Sequence, residues 1–146
     1  MARISKDKWA MDLAIATSQR STCKRRAVGC VLVDKDYNLL GEGYNGLPRG
    51  VAHCIDDNPC PGANSNSGSN LADCFAVHAE INALIKCTKP QEIYTVFVTT
   101  SPCDHCIGPL LNTSTKRIIF IEEYPHKNAK TRWTNSGRSW EQLSDQ

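Results

Sequence analysis

The chain has 146 residues, with 17 Lys and Arg against 15 Asp and Glu for a formal net charge of +2, and it carries eight cysteines. That length suits a single domain over 1–146, long enough to bury a real core and too short for two. Intermixed charges of so small a net value exclude the dense basic footprint of a protein that grips nucleic acid, and suit a small anionic substrate better.

The polar start, Met1 to Lys8, has no secretory apolar segment, and no long apolar run follows it, so the expectation is a cytoplasmic protein without membrane contact. Cysteines in a reducing compartment are read as thiols or metal ligands, not disulfides. Ser5 is placed to cap a first helix over Ser5–Gln19, Asp7 suits its positive end, and Trp9, Leu13 and Ala16 fall at helical spacing. The short apolar run Ala27–Val33 and the extended pattern Leu39–Tyr44 flank turn residues Asp34–Asn38, which predicts a β-hairpin.

From Asn45 to Asp73 no period holds, and Gly, Pro, Asn and Ser crowd the segment. The stretch 47–73 reads as a loop insertion, and loops that long in a small domain are functional or tethered by something other than the core. Val77, Ile81, Leu84 and Ile85 then recur on one helical face as far as Cys87, with His78 and Glu80 in the first turn. Thr95–Thr99 predicts a strand, Cys103 to about Asn112 a helix, and Arg117–Ile121 another strand. Alternating strands and helices imply a sheet covered by helices, with the second and third strands joined by a crossover. The polar tail beyond Glu122, with Trp133 and Trp140 far apart, defines no element.

The chemistry is concentrated in His78-Ala79-Glu80 and Pro102-Cys103-Asp104-His105-Cys106. One imidazole and two thiolates make a three-ligand zinc set with one open position, which is what a reacting zinc needs. Cys103 and Cys106, three apart on a helical turn, face the same way, and the positive end of a helix favours thiolate. Glu80, two residues beyond the histidine, is free to act as acid and base instead of ligating. Ser101 and Pro102 would place backbone groups beside the reacting water and amine. A lone C-x-x-C serves structural or redox roles as readily. Joined to H-x-E it points to catalysis, because a structural site wants a fourth ligand and has no use for an adjacent base. His105 is read as a non-ligand, and Cys30 and Cys87 as core.

This H-x-E…P-C-x-x-C pattern is the signature of zinc-dependent nucleobase deaminases. With Ser21–Gly29, Gly43–Gly50 and His78–Ala83, the chain resembles the deoxycytidylate (dCMP) deaminases of the cytidine deaminase-like superfamily over about Ser5–Tyr124. The resemblance implies a three-layer α/β/α fold around a mixed five-stranded sheet. Four strands are legible, so a fifth would come from the tail. It also implies hydrolysis of dCMP to dUMP and ammonia, supplying a thymidylate precursor.

Carried over by position, Asn45 would hydrogen-bond the nucleotide, Ala79 would offer backbone contacts to the base, and Arg26 and Tyr124 would sit by the 5′-phosphate. The alternative for Arg26 is an ordinary solvated charge beside Lys24 and Arg25. Many family members are homohexamers activated by dCTP and inhibited by dTTP, each bound with magnesium; here Glu42, Gly43, Asn45 and Gly46 resemble that effector segment, and a tight turn would explain the glycines as well. Some relatives carry a second, structural zinc, for which Cys23, Cys54, Cys60 and Cys74, with His53 as substitute, are candidates unless they are free thiols. The alternatives are a deaminase of another cytosine or adenine substrate, as nucleoside, tRNA or single-stranded DNA, or a zinc-stabilised binding module without catalysis.

Overall fold

The computed structural model describes residues 2–23, 26–50 and 76–144. Helix α1 (Lys6–Ser18) begins at Ser5, whose hydroxyl accepts the Lys8 amide at 3.0 Å. Strands β1 (Gly29–Val33) and β2 (Leu39–Tyr44) form the hairpin. Its turn is tied by Asp34, whose Oδ1 accepts the amides of Asp36 and Asn38 at 2.8 and 2.9 Å, and Tyr37 takes a φ of 66° there. Then follow α2 (Ala79–Lys86), β3 (Thr95–Thr100), α3 (Asp104–Leu111), β4 (Arg117–Glu122), α4 (Ala129–Asn135) and β5 (Ser139–Gln142).

The sheet runs β2-β1-β3-β4-β5, with β1 antiparallel to both its neighbours and β3, β4 and β5 parallel to one another. Four helices around this mixed five-stranded sheet make the α/β cytidine deaminase-like fold that the resemblance implies. Cys30, Leu32, Val96, Val98, Ile118 and Phe120 face α2, α3 and α4, while Val31, Val33, Phe97 and Ile119 face α1. Burial on both faces explains why β1 and β3 read as nearly continuous apolar runs instead of alternating ones.

The fifth strand does come from the tail. Trp133 on α4 is fully buried and donates its indole N–H to Ser139 O at 2.8 Å, and Trp140 on β5 packs its ring against Phe120 at 5.2 Å. The two tryptophans belong to different elements, so their spacing carried no period.

The two helices that flank the hairpin bury faces other than those their apolar residues suggest. In α1 the buried residues are Ala10, Met11, Ala14 and Ser18, while Trp9 and Ala16 are exposed. In α2 they are Ala79, Glu80 and Ala83, and Ile85 is 74% exposed. Glycines opposite explain both corrections. A Cβ on Gly29 would lie 1.9 Å from Ala14 O, and one on Gly43 would lie 2.5 Å from Ala79 O, so each helix backbone rests directly on its strand and admits only small side chains. β1 also begins at Gly29, two residues later than its apolar run suggests.

Arg117 ties the far side together. Its guanidinium takes both Glu141 oxygens, at 3.0 and 3.1 Å, and reaches Asp7 at 3.2 Å and the Tyr37 hydroxyl at 3.3 Å, linking β4, β5, α1 and the hairpin turn. The bond to Arg117 is the main reason the Glu141 carboxyl lies below its ordinary 4.5. Arg117→Met is expected to cost about 1–2 kcal/mol at pH 7 in urea denaturation, modest because Glu141 is partly solvated. A carboxyl with a depressed folded pKa contributes stability above its unfolded pKa and loses it as pH falls through the folded value. The gap between wild type and variant should therefore narrow in acid below 4.5.

Candidate metal centre and substrate site

His78 is the N-cap of α2 and Cys103 the N-cap of α3, and Cys106 lies in the first turn of α3, so two helix N-termini converge. His78 Nδ1 lies 3.2 Å from each sulfur, and the sulfurs are 3.6 Å apart. A tetrahedral zinc with Zn–S of about 2.3 Å and Zn–N of about 2.0 Å asks for separations of roughly 3.5 and 3.8 Å, so the donors fit to within a few tenths of an ångström. Among the described residues this is the one cluster of three metal-ligating side chains. His105, exposed, is not in it. A zinc held by His78, Cys103 and Cys106 would have three ligands among the described residues, which leaves its fourth position for solvent.

Charge in the cluster follows from crowding. The hydrogen bond between the two sulfurs is the main reason the Cys103 thiol is pushed down to about 3, and the same bond pushes Cys106 far up, so the two share one proton before a dication displaces it. A hydrogen bond with Cys103 raises His78. Glu80, 4% exposed in the first turn of α2, is pushed up to about 7 chiefly by burial, opposed by its own backbone N–H and by a hydrogen bond from Cys106. Behind it the fully buried Cys30 thiol is raised by burial and by the Glu80 charge.

A family model for the cytidine and deoxycytidylate deaminase zinc-binding region matches residues 4–122. The chain belongs to this family. It is a dCMP-deaminase-like member: the deoxycytidylate deaminase of Mycobacterium phage D29 is 37% identical over 131 residues, covering 84% of this chain and 99% of that protein. The Saccharomyces cerevisiae deoxycytidylate deaminase is 32% identical over 126 residues, 85% of this chain but 40% of that protein, so the chain spans less than half of the yeast relative. The crystal structure of dCMP deaminase from the cyanophage S-TIM5 in complex with dCMP and dUMP superposes with a TM-score of 0.74 at 28% identity, covering 98% of this chain and all of that one.

The residues that the resemblance assigns to the substrate fall in two groups. Ala79, 1% exposed, opens α2 beside the metal ligands, and Ser101, 3% exposed, precedes them at the end of β3. The Ser101 hydroxyl accepts the Tyr124 amide at 2.8 Å. Arg26 lies over the Tyr124 ring, 4.5 Å from its centroid, and 3.8 Å from Glu122. It also borders a cleft of about 460 Å³ with Ile15, Ser18, Thr99, Ile121 and Glu122, which holds no metal ligand and opens at the carboxyl ends of β3 and β4.

Asn45 uses its side chain on the fold. Its Oδ1 accepts from Val28 N at 2.9 Å and from the Ser21 hydroxyl at 2.6 Å, and its amide donates to Arg26 O, so it fastens the Arg26 segment to the end of β2.

In the effector-like segment, Glu42 is exposed and pairs with Lys86 at 2.9 Å. The absent side chain of Gly43 makes room for the backbone of α2, so packing alone requires glycine there, whereas a Cβ on Gly46 would meet only the Thr22 side chain, at Oγ1. Of the second-metal candidates, Cys23 is a half-buried free thiol, while Cys54, Cys60, Cys74 and His53 lie outside the described residues, as does most of the 47–73 insertion. Among the described residues no helix is long and apolar enough to cross a membrane.

Sequence reasoning passed over His126 and Asp104. The Asp104 carboxylate accepts the Asn128 amide at 3.0 Å and so holds the loop after β4 against α3. The signal that could have found them is topological: that loop leaves the carboxyl end of a parallel strand, where open α/β sheets place ligands.

Proposed function

We propose that the chain is a single-domain, zinc-dependent hydrolase that deaminates dCMP to dUMP and ammonia. The observation that carries this is a buried carboxylate, Glu80, beside a set of three metal-ligating side chains among the described residues. The near full-length match to a phage deoxycytidylate deaminase supports the choice of dCMP.

Zinc bound by His78, Cys103 and Cys106 supplies a Lewis acid that brings the ionisation of water from about 15.7 toward about 7. Glu80 moves the protons. Water brings two hydrogens: Glu80 takes one and delivers it to ring N3, then takes the other and delivers it to the amine leaving C4, which departs as ammonia. A group near 7 can be both base and acid at neutral pH, which is what alternating transfers require. Ala79 and Ser101 line the buried side of the ring, and the Arg26 guanidinium suits the 5′-phosphate.

Ammonia release from dCMP, CMP, deoxycytidine and a short oligonucleotide tests this. Turnover is expected to be fastest on dCMP, to vanish on chelation and to return with stoichiometric zinc. Activity on the oligonucleotide with none on dCMP overturns it, and zinc binding without any turnover identifies a binding module instead. A homohexamer controlled by dCTP and dTTP with magnesium rests on the family resemblance alone. Solution mass and dCMP saturation curves with and without each triphosphate decide it, with Glu42, Gly43, Asn45 and Gly46 as the segment to vary. A thymidylate-supplying role in the cytoplasm follows from the same proposal.

A further inference from the structure

We infer that His126 is a specificity-determining residue of the dCMP site, one that donates a hydrogen bond to the 5′-phosphate beside Tyr124. The inference rests on the dCMP reading and adds to it a residue that neither the motif nor its spacing indicates.

The loop after β4 is clasped at two points that bracket the metal ligand Cys103. On one side Tyr124 donates its amide to Ser101 Oγ at 2.8 Å, and Ser101 Oγ donates to Tyr124 O at 3.4 Å. On the other side Asn128 donates its amide to Asp104 Oδ1 at 3.0 Å. His126 is the midpoint of the clasped loop, and its own amide donates to Tyr124 O at 2.8 Å across Pro125, which tightens the turn. The imidazole is half-buried and lies against the Tyr124 ring, centroids 4.7 Å apart and tilted by 35°.

Tyr124 carries Arg26 at 4.5 Å as well, so Arg26, Tyr124 and His126 form one contiguous group beside the Arg26 cleft. Ser101 and Asp104, which hold the loop on either side of His126, are the residues that flank Cys103 in the chain, so the ring sits on a segment anchored around that sulfur. A phosphate dianion needs more than Arg26 supplies, because Glu122 already stands 3.8 Å from that guanidinium and repels the same anion. An uncharged imidazole has one N–H to give without adding a charge beside the thiolates, and burial keeps His126 in that form. Tyr124 fixes the ring plane, so donation costs little ordering.

The test compares dCMP with deoxycytidine, which differ only in the phosphate. His126→Phe keeps the stacking ring and loses the donor; His126→Gln restores an N–H. His126→Phe is expected to raise KM for dCMP about tenfold, with kcat within about twofold and deoxycytidine kinetics unchanged, and His126→Gln to recover much of the loss. Independently of turnover, the His126 side-chain nitrogen resonances of the zinc-loaded protein should move on titration with dUMP and stay fixed with deoxyuridine. An unchanged KM for dCMP in His126→Phe overturns the inference while leaving the dCMP reading intact. Equal losses on both substrates overturn it too, since they indicate that the ring only supports Cys103. Wild-type protein inactive on dCMP overturns the parent reading and this one together.

Discussion

Glu80→Gln is expected to retain stoichiometric zinc and the fold while kcat for dCMP falls by about 10⁴-fold, at the top of the range for a general acid–base residue. The amide has the shape of the acid and none of its proton capacity. In the proposed mechanism both transfers pass through this one group, and no neighbour is available to replace it. His78, Cys103 and Cys106 are committed to the metal, and Cys30 is held protonated by burial. Rates within tenfold of wild type would show that protons travel by another route.

The same substitution should change stability in a direction set by pH. Burial raises the Glu80 pKa to about 7 in the metal-free protein, so the native state binds this proton more tightly than the unfolded chain does. Stability from this group is fully present below its ordinary 4.5 and is lost as pH rises through about 7. Removing the charge should therefore stabilise the metal-free protein by up to about 3 kcal/mol at pH 8, with little difference at pH 4. Urea denaturation of the chelator-treated pair at the two values checks it. A residue that costs stability and supplies turnover is the ordinary signature of a functional site.

The metal centre was legible because its residues sit where helices begin, and spacing within one turn fixes direction almost without tertiary information. His78 as an N-cap and Cys103 with Cys106 three positions on are placed by local geometry alone. The hairpin was legible for a similar reason, since Asp34 and its amide bonds define the turn. What failed was the choice of helix face. Ile81, Leu84 and Ile85 make the more apolar stripe of α2, yet its buried residues are Ala79, Glu80 and Ala83, with Leu84 only partly buried against the core. Periodicity weighs bulk, whereas a helix resting on glycines selects for smallness. Gly41 and Gly43 lie against the backbone of Ala79 and Ala83, which no periodicity within either segment could tell. His126 was missed because a loop has no period, and two side chains from another segment hold it in place.

That close approach predicts the second large effect. Gly43→Ala is expected to cost about 3 kcal/mol in denaturation and to lower kcat/KM for dCMP about 10²-fold. The new Cβ would stand 2.4 Å from Ala83 N and 2.5 Å from Ala79 O. Neither atom can rotate away, because both belong to the backbone of α2. The helix must lift from β2, and its first turn carries Ala79 and Glu80, with His78 as its cap. A shift of about 1 Å there misplaces the metal ligand and the proton carrier together, so zinc affinity should fall with turnover. Gly108→Ala is the control: its Cβ meets nothing within 4 Å on the surface of α3, and the exchange should stabilise by about 0.5–1 kcal/mol without touching kcat. If Gly43→Ala instead leaves stability, zinc content and dCMP turnover intact and alters only the response to dCTP or dTTP, the glycine serves effector binding and α2 is free to move away from the strand.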